Sequence, residues 1–185
     1  RKREEYKSQV SNIEQFLKDL NMKITFFKPD KINISRISQL TKKTNQFNLT
    51  TKRYSQEEIE VFSQAPDYLV KTIRLEDKFG DSGLTGVIII KKERDIWYID
   101  SFLLSCRILG RRVEFALMEN LINNAKREGI NCITGSYFPT KKNDLVKDFF
   151  SECGFAELSK TEEETKYKLD LSNASLDNQF KTKGF

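Results

Sequence analysis

Residues 96–114, IWYIDSFLLSCRILGRRVE, organise the rest of the chain. An apolar run up to Ser105 predicts a buried strand, and residues 106–110 form a short connection. From about Arg111 the apolar residues recur at helical spacing, so a helix should follow. A strand that enters a helix through a basic, glycine-containing turn often holds a phosphorylated ligand, because the first N–H groups of the helix are unpaired and its dipole is positive there. The segment therefore predicts a phosphate-binding turn.

The composition restricts the chemistry that the chain can perform. It has 185 residues, 38% of them hydrophobic and 32% charged, which predicts one packed domain with a strongly hydrated surface. Histidine is absent, which excludes His-based triads and His metal sites and leaves carboxylates, tyrosine, cysteine, lysine or water to move protons. The three cysteines, Cys106, Cys132 and Cys153, are far apart. They favour a reducing cytoplasm over a disulfide framework or structural zinc, so no metal is expected.

Charge and hydropathy bear on the partners. The net charge of +5 favours anionic ligands, but the lysines are scattered and not interleaved with aromatic residues, which argues against nucleic acid. No apolar run approaches the ~20 residues of a membrane span, so no membrane partner is expected. Because the sequence starts at Arg1 without methionine, we expect it to be an excised piece of a longer protein.

The first half of the chain alternates helices with a short strand. Helical spacing predicts helices over 4–20, 33–43 and 55–64, and the last begins with the capping box Ser55-x-x-Glu58. A strand is expected at 22–27. Residues 44–55, TNQFNLTTKRYS, have no period and are predicted to form a polar loop.

The second half predicts the sheet. Three strands at 68–75, 84–91 and 96–105 are joined by short turns, which is typical of an antiparallel meander. A helix over 111–127, a strand over 131–137, a helix over 143–153 and a strand over 167–171 follow, with a further strand allowed near 156–158. This order predicts an α+β fold with a mixed, mainly antiparallel sheet flanked by helices. We expect a linker helix at 1–21, one domain over 22–171 and a polar tail at 172–185.

Two segments resemble GNAT acyltransferases. Residues 143–155, NDLVKDFFSECGF, are similar to the late GNAT motif of an asparagine, a helix, an aromatic pair and Gly-Phe. Residues 96–118 are similar to the GNAT strand, phosphate turn and long helix. A narrower resemblance, to the C-terminal part of FkbH-like proteins of polyketide biosynthesis, covers nearly the whole chain through RISQLTKKTNQFNLTTKRYS, FGDSGLTGV, WYIDSFLLSCRILGRRVE and YFPTKKND.

The FkbH-like resemblance implies a function. In that family a HAD-like phosphatase module precedes the GNAT-like part, and together they are similar to enzymes that load a glyceryl unit from 1,3-bisphosphoglycerate onto an acyl carrier protein. It implies a cytoplasmic acyltransferase whose partners are an acyl carrier protein and the upstream phosphatase module. No cofactor would be bound tightly; the acyl group would arrive on carrier-protein phosphopantetheine or as acyl-CoA. The chain lacks the phosphatase's aspartate motif, so it would be only part of such an enzyme.

The phosphate turn departs from the GNAT pattern of Gln or Arg, two spacers, Gly, a spacer, and Gly or Ala. If the pattern is aligned so that it begins at Arg107, Gly110 matches its glycine but Arg112 stands at the last small position. A register over 109–114 puts Arg112 and Glu114 at both small positions, and it is preferred because it aligns residues 117–118 with the usual apolar pair. Glu114 would repel a pyrophosphate, whereas the arginines would still attract a phosphate. The resemblance implies a cofactor-binding set of Leu103, Leu104, Ser105, Arg107, Gly110, Arg111, Arg112, Asn143 and Phe149.

Cys106 and Asp100 are the candidate catalytic residues. Cys106 lies at the strand end, close to where a GNAT fold holds its thioester, and Arg107 and the following helix N-terminus both favour a thiolate. Cys106 would carry or receive an acyl group; the alternative is a small buried residue at a strand end. Asp100 is a carboxylate in an otherwise apolar strand and could act as a base. Phe150 stands where many GNAT enzymes have a tyrosine general acid, and Tyr137 could substitute.

The polar loop is the candidate substrate surface. Its expected contacts come from Asn45, Gln46, Asn48, Thr50 and Arg53, together with Tyr137. The alternative is a turn whose Asn and Thr side chains cap helix ends. Three functions remain open: transfer of a three-carbon acyl unit to a carrier protein, a non-catalytic module that docks the carrier, and CoA-dependent N-acetylation.

Overall fold

A computed structural model describes residues 12–172, which fold into an eight-stranded sheet with helices on both faces. The helices are α1 (Ile13–Asp19), α2 (Ile34–Lys43), α3 (Gln56–Gln64), α4 (Val113–Arg127) and α5 (Phe149–Glu152), with 3₁₀ turns at Cys106–Ile108 and Asp144–Val146. The strands are β1 (Lys23–Phe27), β2 (Phe47–Asn48), β3 (Tyr68–Asp77), β4 (Gly80–Glu93), β5 (Ile96–Leu104), β6 (Cys132–Tyr137), β7 (Ala156–Lys160) and β8 (Thr165–Asp170).

The sheet has the order β1-β3-β4-β5-β6-β8-β7, and β2 pairs with the end of β5. Neighbouring strands are antiparallel except β5 and β6, which are parallel because α4 crosses over between them. The predicted α+β class, with a mixed and mainly antiparallel sheet, is confirmed.

Strand β4 shows why both faces of the sheet are covered. Ile88 and Ile90 pack in the core that includes α4 and α5, while Val87 and Ile89 pack in the core that includes α2 and α3. All four side chains are buried, so β4 has a continuous apolar run instead of polar alternation. The sheet therefore separates two apolar cores.

Local sequence signals predicted most element positions. The capping box is confirmed: the Glu58 amide donates to Ser55 Oγ at 3.2 Å, and the Ser55 amide donates to a Glu58 carboxylate oxygen at 2.7 Å. The additional strand predicted near 156–158 is β7, and β4 is longer than predicted at both ends. The predicted N-terminal helix lies partly outside the described residues, which include only α1 of it.

Two predictions about elements were wrong. The helix predicted over 143–153 is divided into a 3₁₀ turn and the short α5. The Asn143 side chain, which would cap such a helix, donates instead to the carbonyls of Asn48 and Phe138. The loop predicted over 44–55 contains β2, whose pairing with β5 was not expected.

Strands β5 and β6 diverge at the centre of the sheet. They pair from Ile96 opposite Cys132 to Ile99 opposite Gly135, and no further. At this point Ile99 pairs with Ile90 and Ser101 pairs with Ile89 on β4, so Asp100 is an extra residue in the ladder. Such a bulge bends its strand. The sheet consequently opens into a gap between the second half of β5 and the end of β6.

Candidate functional site

The chain fills this gap with its own residues 47–50, which we call the crossing segment. Phe47 and Asn48 pair antiparallel with Leu104 and Leu103 of β5. The Leu49 amide donates to the Phe102 carbonyl at 3.2 Å, and the Leu49 carbonyl accepts from the Phe138 amide at 2.9 Å. The segment thus bonds to β5 on one side and to the residue after β6 on the other.

Asn143 clasps the crossing segment. Its Nδ2 donates to the carbonyls of Asn48 and Phe138, both at 3.0 Å. Its Oδ1 accepts from the amide and hydroxyl of Thr140 at 2.7 and 2.9 Å, and from the Tyr137 hydroxyl at 3.3 Å. Asn143 is fully buried. Its amide therefore satisfies backbone groups inside the fold, and its role in cofactor binding stays a prediction.

A basic cleft lies on one side of the crossing segment. We call it the Cys106 cleft; its volume is about 660 Å³. It is lined by Arg36, Gln39, Leu40, Lys43, Thr44, Asn45, Gln46, Leu104, Ser105, Cys106, Lys141 and Lys142. Four of these described lining residues are cationic and none is acidic. Such a cleft raises the local concentration of anionic ligands.

Cys106 is exposed at this cleft as the first residue of a 3₁₀ turn. The alternative of a small buried residue at the strand end is therefore wrong for Cys106. Cys132 and Cys153 are buried, as predicted for packing residues, and burial raises the pKa of both thiols. Cys106 is the exposed thiol among the three, so it is the one that a ligand can reach directly.

Hydrogen bonds and an ion pair within the protein hold the phosphate turn in place. Ser105 Oγ accepts from the Arg107 amide at 3.4 Å and from its side-chain Nε at 3.3 Å. The buried Arg111 guanidinium pairs with Asp77 at 3.0 Å and donates to the Arg107 carbonyl at 2.7 Å. Arg111 therefore ties the turn to the end of β3, and its charge is compensated inside the protein.

Side chains larger than glycine or alanine occupy both small positions of the turn. Arg112 has a left-handed backbone (φ 59°) immediately before α4, and its guanidinium lies 5.5 Å from the Phe115 ring. Glu114 occupies the first turn of α4, and burial raises the pKa of its carboxyl above the ordinary value. A side chain at either position takes up space that a glycine would leave for a diphosphate beside the helix N-terminus. Gly110 has a left-handed backbone (φ 74°), which glycine adopts without strain. Both Gly110 and Arg107 are exposed.

Asp100 faces a second cavity, of about 480 Å³, on the other side of the crossing segment. Its carboxylate accepts from Lys52 Nζ and from the Tyr54 hydroxyl, each at 2.5 Å. Burial, and then the bond to this carboxylate, raise the pKa of Tyr54. Thr50 also lines this Asp100 cavity. The Asp100 cavity and the Cys106 cleft share no lining residue, so the two predicted catalytic residues open into separate spaces.

Several polar residues of the loop cap the end of α2. The Arg53 guanidinium donates to the carbonyls of Thr41 and Thr44 and to Asn45 Oδ1. Asn48 is fully buried, and its Nδ2 donates to the Thr44 carbonyl at 3.1 Å. The Asn48 bond is of the kind that the capping alternative predicts, whereas the bonds from Arg53 were not part of that prediction. Of the predicted substrate-binding residues, Asn45 and Gln46 line the Cys106 cleft; a contact with substrate stays a prediction for all six.

The late motif belongs to the core. Phe149 is buried among aromatic rings, with Phe47 at 5.2 Å and Phe102 at 5.4 Å between ring centroids. The Phe150 ring stacks on Tyr167 at 5.1 Å and lies against Gly135, where a Cβ atom would be 2.3 Å from it.

Tyr137 is buried, and burial raises the pKa of its phenol. Leu103 and Leu104 are buried and paired with β2.

Sequence reasoning missed the cations of the Cys106 cleft. Two of these cations, Arg36 and Lys43, lie at i and i+7 on α2 with Gln39 at i+3. This spacing places all three side chains on one helix face and could have identified the two cations. Lys141 and Lys142 follow Pro139 in a segment singled out only for its resemblance. The proximity of these two lysines to Cys106 depends on the bond between Leu49 and Phe138, the residue after β6, which hydrophobic periodicity does not reveal.

Two negative findings apply to residues 12–172. They contain no helix of the length and apolarity needed to cross a membrane. They also contain no cluster of three or more cysteine, aspartate or glutamate side chains placed to hold a metal ion.

Comparisons with known proteins identify the fold. A scan against protein-family models and a search of curated proteins give no match. Among solved structures, the ribosomal-protein-S18-alanine N-acetyltransferase from Escherichia coli is similar with a TM-score of 0.63 at 14% identity, covering 84% of this chain and 98% of that one.

Two similar structures contain coenzyme A. The PaiA N-acetyltransferase from Thermoplasma acidophilum in complex with coenzyme A has a TM-score of 0.57 at 15% identity, covering 80% of this chain and 99% of that one. The spermidine N-acetyltransferase from Vibrio cholerae in complex with CoA and spermine has a TM-score of 0.61 at 13% identity, covering 80% and 96%. The chain therefore has the GNAT acetyltransferase fold.

Proposed function

We propose that this chain is an acyltransferase domain in which the Cys106 thiol exchanges a short acyl group with a phosphopantetheine thioester. One observation carries the proposal: an exposed thiol lies in a cleft with four cations and no carboxylate among its described lining residues. A single phosphate would be held by these cations, and the attached thioester would lie within the same cleft as the thiol.

The chemistry is a thioester exchange. The Cys106 thiolate attacks the carbonyl carbon of the bound thioester, and the bond between that carbon and the pantetheine sulfur breaks. The pantetheine sulfur leaves as a thiolate and takes up the proton that Cys106 released. One thioester is consumed and one is formed, so the step needs no oxidant, metal or phosphate bond. The reverse sequence passes the acyl group to another pantetheine thiol.

The donor and acceptor classes come from the FkbH-like resemblance. It favours a glyceryl-type three-carbon acyl unit, an acyl carrier protein that presents the pantetheine, and an upstream HAD-like phosphatase module as partner. The remodelled turn supports a carrier protein as the source of pantetheine, because a carrier presents one phosphate and no nucleotide. The cytoplasm, where such partners act, is the proposed location.

A non-catalytic docking module is the second candidate. The observation that favours it is the internal use of residues expected to do chemistry: Asn143 clasps the crossing segment, and Asp100 is paired with Lys52 and Tyr54. In that case the basic cleft would bind the carrier's phosphate without transferring its acyl group.

A transfer assay separates these two functions. A carrier protein loaded with a glyceryl thioester is incubated with the chain and with a second carrier protein of different mass, whose phosphopantetheine thiol bears no acyl group. Mass spectrometry follows the acyl group from one carrier to the other. We expect transfer between the carriers, a loss of at least 100-fold in Cys106→Ala, and near-normal transfer in the control Cys132→Ala. Carrier binding without transfer would favour the docking module, and unchanged transfer in Cys106→Ala would reject the thioester at Cys106.

A further inference from the structure

The gap between β5 and β6 has the form of a binding slot for an extended ligand. Two parallel strands that diverge leave backbone N–H and C=O groups facing one another across the opening, and such groups need partners. An extended chain with amide groups can supply them by strand addition. The pantetheine arm of a thioester is such a chain, since it carries two amides in an extended tether.

In this chain the gap is already occupied by the crossing segment, which is part of the same polypeptide. The crossing segment forms the strand pairs with Leu103 and Leu104, and Leu49 bonds to both sides of the gap. Its side chains are almost completely buried: Phe47 is 4% exposed, Asn48 and Leu49 are 0% exposed. Phe47 also packs its ring against Phe102 and Phe149. A ligand that entered the gap would have to remove all of these contacts.

The segment also divides the space around the gap. Residues 44–46, before it, line the Cys106 cleft, and Thr50, at its end, lines the Asp100 cavity. No described residue lines both spaces, and along the chain the crossing segment lies between the residues of this loop that line each of them.

We infer that the crossing segment is a specificity-determining element that keeps extended thioester ligands, acyl-CoA included, out of the gap between β5 and β6. Thioester donors would then bind in the Cys106 cleft, where a single phosphate would meet four cations among the described lining residues. The inference deepens the proposed function by placing its thioester donor in the Cys106 cleft and outside the gap between β5 and β6. It rests on that function for the donor's identity, but the filling of the gap is independent of Cys106.

Binding measurements on the whole chain test this inference without using acyl transfer. Acetyl-CoA and 4′-phosphopantetheine are titrated into ¹⁵N-labelled protein. Amide shifts and hydrogen exchange are followed at Leu49 and Phe138, two backbone donors that bond the crossing segment to either side of the gap. We expect both amides to keep their shifts and their protection at millimolar acetyl-CoA, and phosphopantetheine to shift amides of the Cys106 cleft alone. Cys106→Ala should behave identically, which separates this test from the transfer assay.

A variant that loosens the clasp provides the complementary test. Asn143→Ala removes the donor to the Asn48 carbonyl, whereas the control Thr140→Ala removes one bond to Asn143 and none to the crossing segment. We expect acetyl-CoA affinity to rise at least tenfold in Asn143→Ala and to stay unchanged in Thr140→Ala. Saturable acetyl-CoA binding to the unmodified chain with altered exchange at Leu49 would overturn the inference. Absence of any gain in a folded Asn143→Ala would overturn it as well.

Discussion

Replacing Asn143 with alanine tests whether this residue is a structural clasp. The side chain makes two donor bonds to the Asn48 and Phe138 carbonyls and accepts from Thr140 and Tyr137. Alanine removes all of these bonds while leaving the backbone unchanged. The Asn48 carbonyl, in a residue with 0% exposure, would lose the donor that Asn143 supplies.

The expected cost follows from burial. Leaving one buried backbone acceptor without its donor costs about 1–3 kcal/mol, and each remaining lost bond adds about 0.5–1.5 kcal/mol. Since such contributions overlap, we expect a total loss of roughly 3 kcal/mol in the free energy of unfolding. For a chain of this size each kcal/mol lowers Tm by roughly 2–4 °C, so Tm should fall by roughly 6–12 °C.

Thermal and urea unfolding measure this loss, and hydrogen exchange locates it. The Leu49 amide should exchange faster in Asn143→Ala because the crossing segment is held less firmly. Asn124→Ala on α4 is the control: it removes a side-chain bond to Asn120 on a partly exposed helix face and should change stability by less than about 0.5 kcal/mol. A loss below about 1 kcal/mol in Asn143→Ala, with unchanged exchange at Leu49, would refute the clasp.

Three further changes test the packing and the electrostatics. Gly135→Ala would place a Cβ atom 2.3 Å from the Phe150 ring, so we expect a loss of about 1–3 kcal/mol in urea unfolding, partly recovered when Phe150→Leu is added; a neutral Gly135→Ala would contradict this contact. Arg111→Met removes the cation that compensates the buried Asp77 carboxylate and should cost about 3–5 kcal/mol, with recovery in the double variant carrying Asp77→Leu. Burial raises the Glu114 pKa above its ordinary value of 4.5, so the stability from this group is present below that pH and is lost as pH rises through the folded-state pKa. The Tm of Glu114→Gln should therefore rise relative to the unmodified chain between pH 4 and pH 7; the same difference at both pH values would argue against a raised pKa.

Local signals sufficed where the element is stabilised locally. The Ser55–Glu58 capping box predicted the start of α3, and the apolar period predicted α4 to within two residues of its start at Val113. Strand β2 was missed because its two residues become a strand only by pairing with β5. Phe47 and Leu49, two apolar residues in a polar loop, were its only signal.

The candidate site was predictable only where its residues are neighbours in the sequence. Cys106 and the remodelled turn are adjacent in sequence, so their proximity was evident. The cations of the cleft come from α2 and from the segment after β6, which meet Cys106 only in the folded chain. The separation of Asp100 from Cys106 also needed the structure. The two residues are six positions apart in sequence, on β5 and in the 3₁₀ turn after it, and that spacing does not show that they line different cavities.

The most direct test of the account is to trap the acyl group on the protein. The chain is mixed with a carrier protein bearing a glyceryl thioester, quenched in acid, digested and mapped by peptide mass spectrometry. The account predicts a glyceryl adduct on the peptide that contains Cys106, sensitive to hydroxylamine and absent from Cys106→Ala. An adduct on Cys132 or Cys153, or full transfer with no adduct on Cys106, would contradict it.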